Sequence, residues 1–122
     1  MTWLLVAIGS AVGGVMRYGA SLLLNPASGF PWGTFGVNVL GSLAIGALSG
    51  WLAASSRDAA VAQALRCFAV VGFCGGFTTF STFSNETFRM MENGQWGLTC
   101  LYVFGSVAAG LAAVALGYTL AK

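Results

Sequence analysis

The run Gly72-Phe73-Cys74-Gly75-Gly76-Phe77-Thr78-Thr79-Phe80-Ser81-Thr82-Phe83-Ser84-Asn85-Glu86 constrains this chain more than any other stretch. It lies within a long apolar region and breaks its pattern. Three glycines in five positions, Gly72, Gly75 and Gly76, invite a helix to open. Six hydroxyl or amide side chains then fall within the eight residues 78–85, with Phe77, Phe80 and Phe83 among and beside them. A carboxylate, Glu86, closes the run. In water this would be an ordinary polar loop. In a bilayer such polarity is costly unless it is buried in protein or lines an aqueous path. Composition decides which setting applies. Hydrophobic residues make up 57% of the 122 residues and charged residues 7%, against about 25% charge in a soluble domain. The expectation is an all-α integral membrane protein, one domain over residues 1–122, whose central run is a broken membrane helix that builds a pore.

The same composition excludes several functions. Five basic and three acidic residues leave a net charge of +2, too little for nucleic-acid binding. Histidine is absent, which removes His-ligated metal sites, Ser-His-Asp triads and histidine proton relays. Cys67, Cys74 and Cys100 are odd in number, form no CxxC and lie in or beside apolar segments, so they read as small buried residues. The N-terminus lacks a basic n-region and apolar runs recur to the end, so a cleaved signal peptide is not expected.

Four apolar segments follow one another. Trp3 to Leu24 is long enough, at about 33 Å, to cross the bilayer core. Gly9, Gly13 and Arg17 share one ridge of it, and small residues at that spacing admit a second helix. Arg17 has two readings, snorkelling to the nearby helix end or facing an aqueous vestibule. Asn25-Pro26 and Phe30-Pro31 mark a first loop, with Trp32 as an interfacial anchor. The second segment, residues 33–54, carries Thr34, Asn38, Ser42, Gly46 and Gly50 on one small, polar ridge. Asn38 suits either helix–helix hydrogen bonding or an oriented donor to an ion. Residues 55–63 form a second loop. The third segment continues to about Met91, too long for one straight crossing unless tilted or interrupted, and the glycine cluster is the interruption. Asn93-Gly94 is a tight turn. Trp96 to Leu120 is the fourth segment, with Tyr102, Ser106, Gly110, Ala113 and Gly117 on its small ridge.

Four crossings place both termini on one side with the second loop. That side holds Arg57, Arg66 and Lys122; the other holds Arg89 and Arg17. A bias this weak barely selects an orientation under the positive-inside rule, so the chain is expected to insert both ways. Polar faces on segments two, three and four also need partners, which a second copy supplies by twofold symmetry. An antiparallel, dual-topology homodimer satisfies both arguments.

If the second half of the broken helix starts at Thr78, then Thr79, Thr82 and Glu86 share one face. Phe80, Phe83 and Thr87 share the next, and Ser81, Ser84 and Asn85 the third. Polar on two faces of three, such a helix is expected to be buried. Hydroxyls donate hydrogen bonds without fixed negative charge, and phenylalanine offers a positive ring edge. Together they suit a small, strongly hydrated anion, whereas rows of carboxylates or carbonyls suit a cation. The glycine break has a separate use. Carbonyls freed between Gly75 and Thr78 are oxygen ligands for a hard cation, unless the break is simply a packing kink.

Gly33-Thr34-Phe35-Gly36-Val37-Asn38-Val39-Leu40-Gly41-Ser42, taken with the run 72–86 and with Arg17 after its glycine ridge, resembles the Fluc (CrcB) fluoride-channel family across essentially the whole chain. The resemblance implies a dual-topology antiparallel homodimer with two pores, passively exporting fluoride across the cell membrane to relieve its toxicity. It implies that Phe80 and Phe83 line the pore with Asn38, Ser81, Thr82 and Tyr102, and that Thr34 and Ser106 are neighbours. Glu86, with Arg17, fits the pore mouth. It also implies a structural sodium ion at the dimer centre, held by the backbone carbonyls of Gly75 and Thr78. Gly110 departs from the pattern, since serine is expected there in some relatives.

Two other classes compete with this reading. A small multidrug exporter shares the size and helix number but needs a carboxylate deep in its first helix, and segment one has none. A non-transporting assembly subunit would need the glycine ridges but not the Phe-Ser-Thr array. No catalytic constellation supports an enzyme.

Overall fold

The computed structural model describes residues 1–26, 29–55 and 58–122. Arg57, which entered the charge balance, lies outside the described residues. Helix α1 is Thr2–Leu24 and α2 is Trp32–Ala54. The third segment begins as α3 (Ala59–Leu65), widens into a π-helical run over Arg66–Cys74, and tightens into the short α4 (Gly75–Phe77). It resumes as α5 (Ser81–Glu92), and α6 is Trp96–Ala121. Segments 2–24, 32–54, 59–92 and 96–121 are each long and apolar enough to cross a membrane.

Two helix pairs carry the packing. The first joins α1 to the π-helical run and α4, and the second joins α2 to α6. Both use glycine as a site of backbone contact. A Cβ on Gly13 would lie 2.8 Å from the Phe77 nitrogen, and one on Gly76 would lie 2.6 Å from the Ser10 carbonyl. On the other pair, a Cβ on Gly50 would meet the Tyr118 carbonyl at 2.5 Å, and one on Gly117 the Ala47 nitrogen at 2.8 Å. Lipid offers no hydrophobic drive for helix association, so van der Waals contact at this range is a main source of cohesion. The ridges legible in the sequence therefore face protein.

Polar contacts reinforce the first pair. Arg17 donates from Nε to the Gly76 carbonyl at 3.0 Å, and the Ser10 hydroxyl approaches the Gly72 carbonyl at 3.4 Å. Arg17 is thus spent on backbone at the end of α4. Trp32, expected as an interfacial anchor, is the first residue of α2 and is exposed. Cys67 and Cys74 are buried, as their apolar setting suggested, but Cys100 is exposed on α6.

Candidate functional site: a hydroxyl and phenylalanine cavity beside an interrupted helix

Three residues separate α4 from α5; Thr78 is extended at φ −85°, ψ 158°, and by Phe80 the backbone is helical again at φ −90°, ψ −38°. The interruption is held open by side chains. The Asn38 amide pairs with the Thr79 peptide, accepting from its nitrogen at 2.8 Å and donating to its oxygen at 3.1 Å. The Thr79 hydroxyl accepts from the Thr82 nitrogen at 3.2 Å and so caps the new helix. In a continuous helix those two nitrogens would bond the carbonyls of Gly75 and Thr78. Both carbonyls are thereby relieved of their helical donors. Gly41 makes the space, because a Cβ there would collide with the Thr78 methyl. The second helical piece starts at Ser81 rather than at Thr78, and this removes Thr79 from the helical face it was expected to share with Thr82 and Glu86.

A cavity of about 300 Å³ opens beside the interruption. It is lined by Asn38, Ser42 and Ile45 of α2, by Thr78, Thr79, Phe80 and Phe83, and by Ser106 and Val107 of α6. The Phe80 and Phe83 rings lie 6.1 Å apart at 39°. Ser106 is on the same wall, and its hydroxyl is buried without a hydrogen-bond partner among the described residues. A Cβ on Gly110 would sit 3.6 Å from the Ser42 hydroxyl. Where a serine was expected on α6, α2 supplies a hydroxyl at the same level.

Phe83 connects this cavity to a second polar cluster, its ring centroid 4.9 Å from that of Tyr102. Tyr102 is fully buried and donates to Glu86 Oε1 at 2.9 Å. Thr34, also buried, donates to Glu86 Oε2 at 3.0 Å. Asn25 Nδ2 donates to the same oxygen at 3.1 Å and to the Thr34 hydroxyl at 3.2 Å. Beyond Glu86 lies a smaller space of about 70 Å³, bordered by Asn25, Arg89, Asn93 and Gln95 and leading to the loops.

The structure therefore brings Asn38, Phe80, Phe83 and Ser106 around one cavity, and Thr34, Tyr102 and Glu86 into an adjoining cluster. Ser81 and Thr82 are not on the cavity wall of the protomer. Ser81 is exposed, with Ser84 and Asn85 on the same face of α5, although the helix was expected to be buried. Arg17 stands apart from Glu86, at the Gly76 carbonyl. Three polar residues escaped the sequence reasoning as site members, among them Ser42, which was read only as part of the polar ridge of the second segment. Thr79 was placed on a helical face, whereas its peptide and hydroxyl build the interruption. Asn25 was read only as part of a turn, and an amide at the membrane end of a helix was the available signal.

The sequence profile of the CrcB-like protein family (Camphor Resistance, CrcB) matches residues 4–118. Relatives named fluoride-specific ion channel FluC are similar over nearly the full chain. That of Novosphingobium aromaticivorans is 46% identical over 121 residues, covering 96% of this chain and 93% of the relative. That of Methylobacterium nodulans is 48% identical over 112 residues, covering 91% and 88%. The Thermus thermophilus relative is 43% identical, covering 97% and 93%. With four spanning segments, the chain is a multi-pass membrane protein.

Proposed function

The chain belongs to the CrcB-like family, and from that premise we propose that it is a fluoride-selective channel through which fluoride leaves the cytoplasm passively. It is no enzyme. The observation that carries the reading is a cavity walled by Phe80, Phe83 and Ser106, with the Ser106 hydroxyl buried and without a partner among the described residues. An unpaired buried hydroxyl costs about 1–3 kcal/mol. Fluoride accepts hydrogen bonds strongly, so an ion in the cavity offsets that cost. The ring edges add positive potential without a competing acceptor. Asn38, Ser42 and Thr79 extend the polar wall, and Tyr102 and Thr34 continue it past Phe83 toward the mouth at Glu86.

A second copy completes the path. Phe80 is 79% exposed on the protomer. Ser81, Ser84 and Asn85 are exposed on a membrane-spanning segment, where lipid contact with polar groups is unfavourable. An antiparallel homodimer covers this face, brings Ser81 and Thr82 to the ion path, and generates two pores by symmetry. The broken helix serves both purposes. It turns Phe80 toward the cavity, and it leaves the Gly75 and Thr78 carbonyls free to hold a sodium ion. The residues fit such an ion, because the donors those carbonyls would have had are occupied by Asn38 and Thr79. Neutral oxygens suit a hard monovalent cation, and its charge would stabilise the dimer centre beside the anion path. The absence of a segment-one carboxylate and the family match leave the multidrug-exporter reading without support.

Expression in cells lacking fluoride export tests the physiological direction. Cytoplasmic fluoride should fall toward the external concentration and growth in fluoride should recover. Unchanged accumulation with the protein present in the membrane contradicts the proposal.

A further inference from the structure

Asn25 makes four hydrogen bonds, the full capacity of its amide as used here. Its oxygen accepts from the Gly33 nitrogen at 2.7 Å and the Thr34 nitrogen at 3.2 Å, capping α2, which has no side-chain cap of its own. Its nitrogen donates to the Thr34 hydroxyl and to Glu86 Oε2. One half of the amide is therefore structural, and the other half faces the carboxylate at the end of the polar path. Tyr102 holds Oε1, while Asn25 and Thr34 share Oε2. Asn25 also borders the small space between Glu86 and the loops.

We propose that Asn25 is a positioning residue for anion conduction, fixing the Glu86 carboxylate in one orientation and holding the Thr34 hydroxyl beside it. The inference rests on the fluoride-channel reading. A carboxylate in an anion path is tolerable only if its charge is balanced by donors and kept from swinging into the path. Three neutral donors, from the residue that follows α1, from α2 and from α6, do this, and Asn25 is the one that also ties the carboxylate to the α1–α2 corner. Removing its N–H leaves Glu86 Oε2 with Thr34 alone.

The two halves of the amide can be separated. Asn25→Asp keeps the oxygen that caps α2, removes both N–H donors, and sets a second carboxylate against Glu86. The charged or titratable groups around this pair are Tyr102 of α6 and Arg89 of α5, while the α1–α2 corner contributes only neutral Asn25 and Thr34. Apposed carboxylates raise one pKa of the pair toward neutrality, and the proton taken up restores a donor. Fluoride efflux from liposomes, corrected for protein-free leak, should fall about tenfold for Asn25→Asp at about pH 8 and recover by about pH 6, while wild type shows no such recovery. A second variant, Asn25→Asp combined with Glu86→Gln, exchanges donor and acceptor and should recover flux at about pH 8. Wild-type flux in Asn25→Asp, or a loss that neither lower pH nor the exchange reverses, overturns the assignment. Failure of both variants to assemble would make Asn25 a folding residue only and overturns it equally. If wild type itself conducts no fluoride, the channel reading fails, and that outcome is separate.

Discussion

A buried hydroxyl without a partner costs about 1–3 kcal/mol, and Ser106 carries that cost among the described residues. Ser106→Ala should therefore leave the melting temperature of the purified protein unchanged or higher while reducing fluoride flux. A residue that merely packs would lose stability and leave flux alone. Phe80 makes a different contribution, because its ring reaches the cavity although most of its surface is open on the protomer. Phe80→Ile keeps bulk and removes the positive ring edge. Loss of about 1.4 kcal/mol at the barrier slows passage about tenfold. Flux measured in liposomes should fall by that order with the dimer intact by size-exclusion chromatography, and undiminished flux would reduce the ring to packing.

At the scale of elements, the interrupted third segment is maintained from α2. Asn38→Ala removes both bonds to the Thr79 peptide, leaving that peptide unsatisfied at a cost of about 1–3 kcal/mol. Thermal unfolding in detergent should show this loss, and conduction should fall with it; an unchanged melting temperature would mean the interruption holds itself open. Much of the element layout was legible in the sequence. The apolar segments are bounded within two residues of the observed helices, because polar loops, prolines and Asn93-Gly94 punctuate them clearly, except at the start of the third, where the expected loop 55–63 overlaps a helix that begins at Ala59. The glycine ridges were legible too, since spacing alone puts Gly9 and Gly13 on one face. The start of α5 was not. Local pattern allows a helix from Thr78, but Asn38, 41 residues away, claims the Thr79 nitrogen. The role of Asn25 was hidden for the same reason, as Glu86 lies 61 residues further on. Where one polar atom outbids the helix ladder from a distant segment, local periodicity carries no signal.

At the scale of the whole molecule, the single chain exposes polar side chains on a membrane-spanning segment. Exposed Ser81, Ser84 and Asn85 on α5 support the proposed second copy, and the weak Lys/Arg bias is compatible with the proposed inversion of that copy. In a cysteine-free background, Lys122→Cys labelled by an impermeant reagent should react on both sides of the membrane in comparable amounts. Labelling confined to one side would exclude the antiparallel dimer. The central claim is selective, passive fluoride conduction, and one measurement tests it directly: ion efflux from potassium fluoride or potassium chloride liposomes containing only this protein, diluted into salt that neither pore nor lipid passes. The account predicts rapid fluoride efflux that begins only when a potassium ionophore relieves the charge imbalance, with chloride retained. Absent fluoride efflux, chloride efflux at the same rate, or fluoride efflux that needs no ionophore would contradict it.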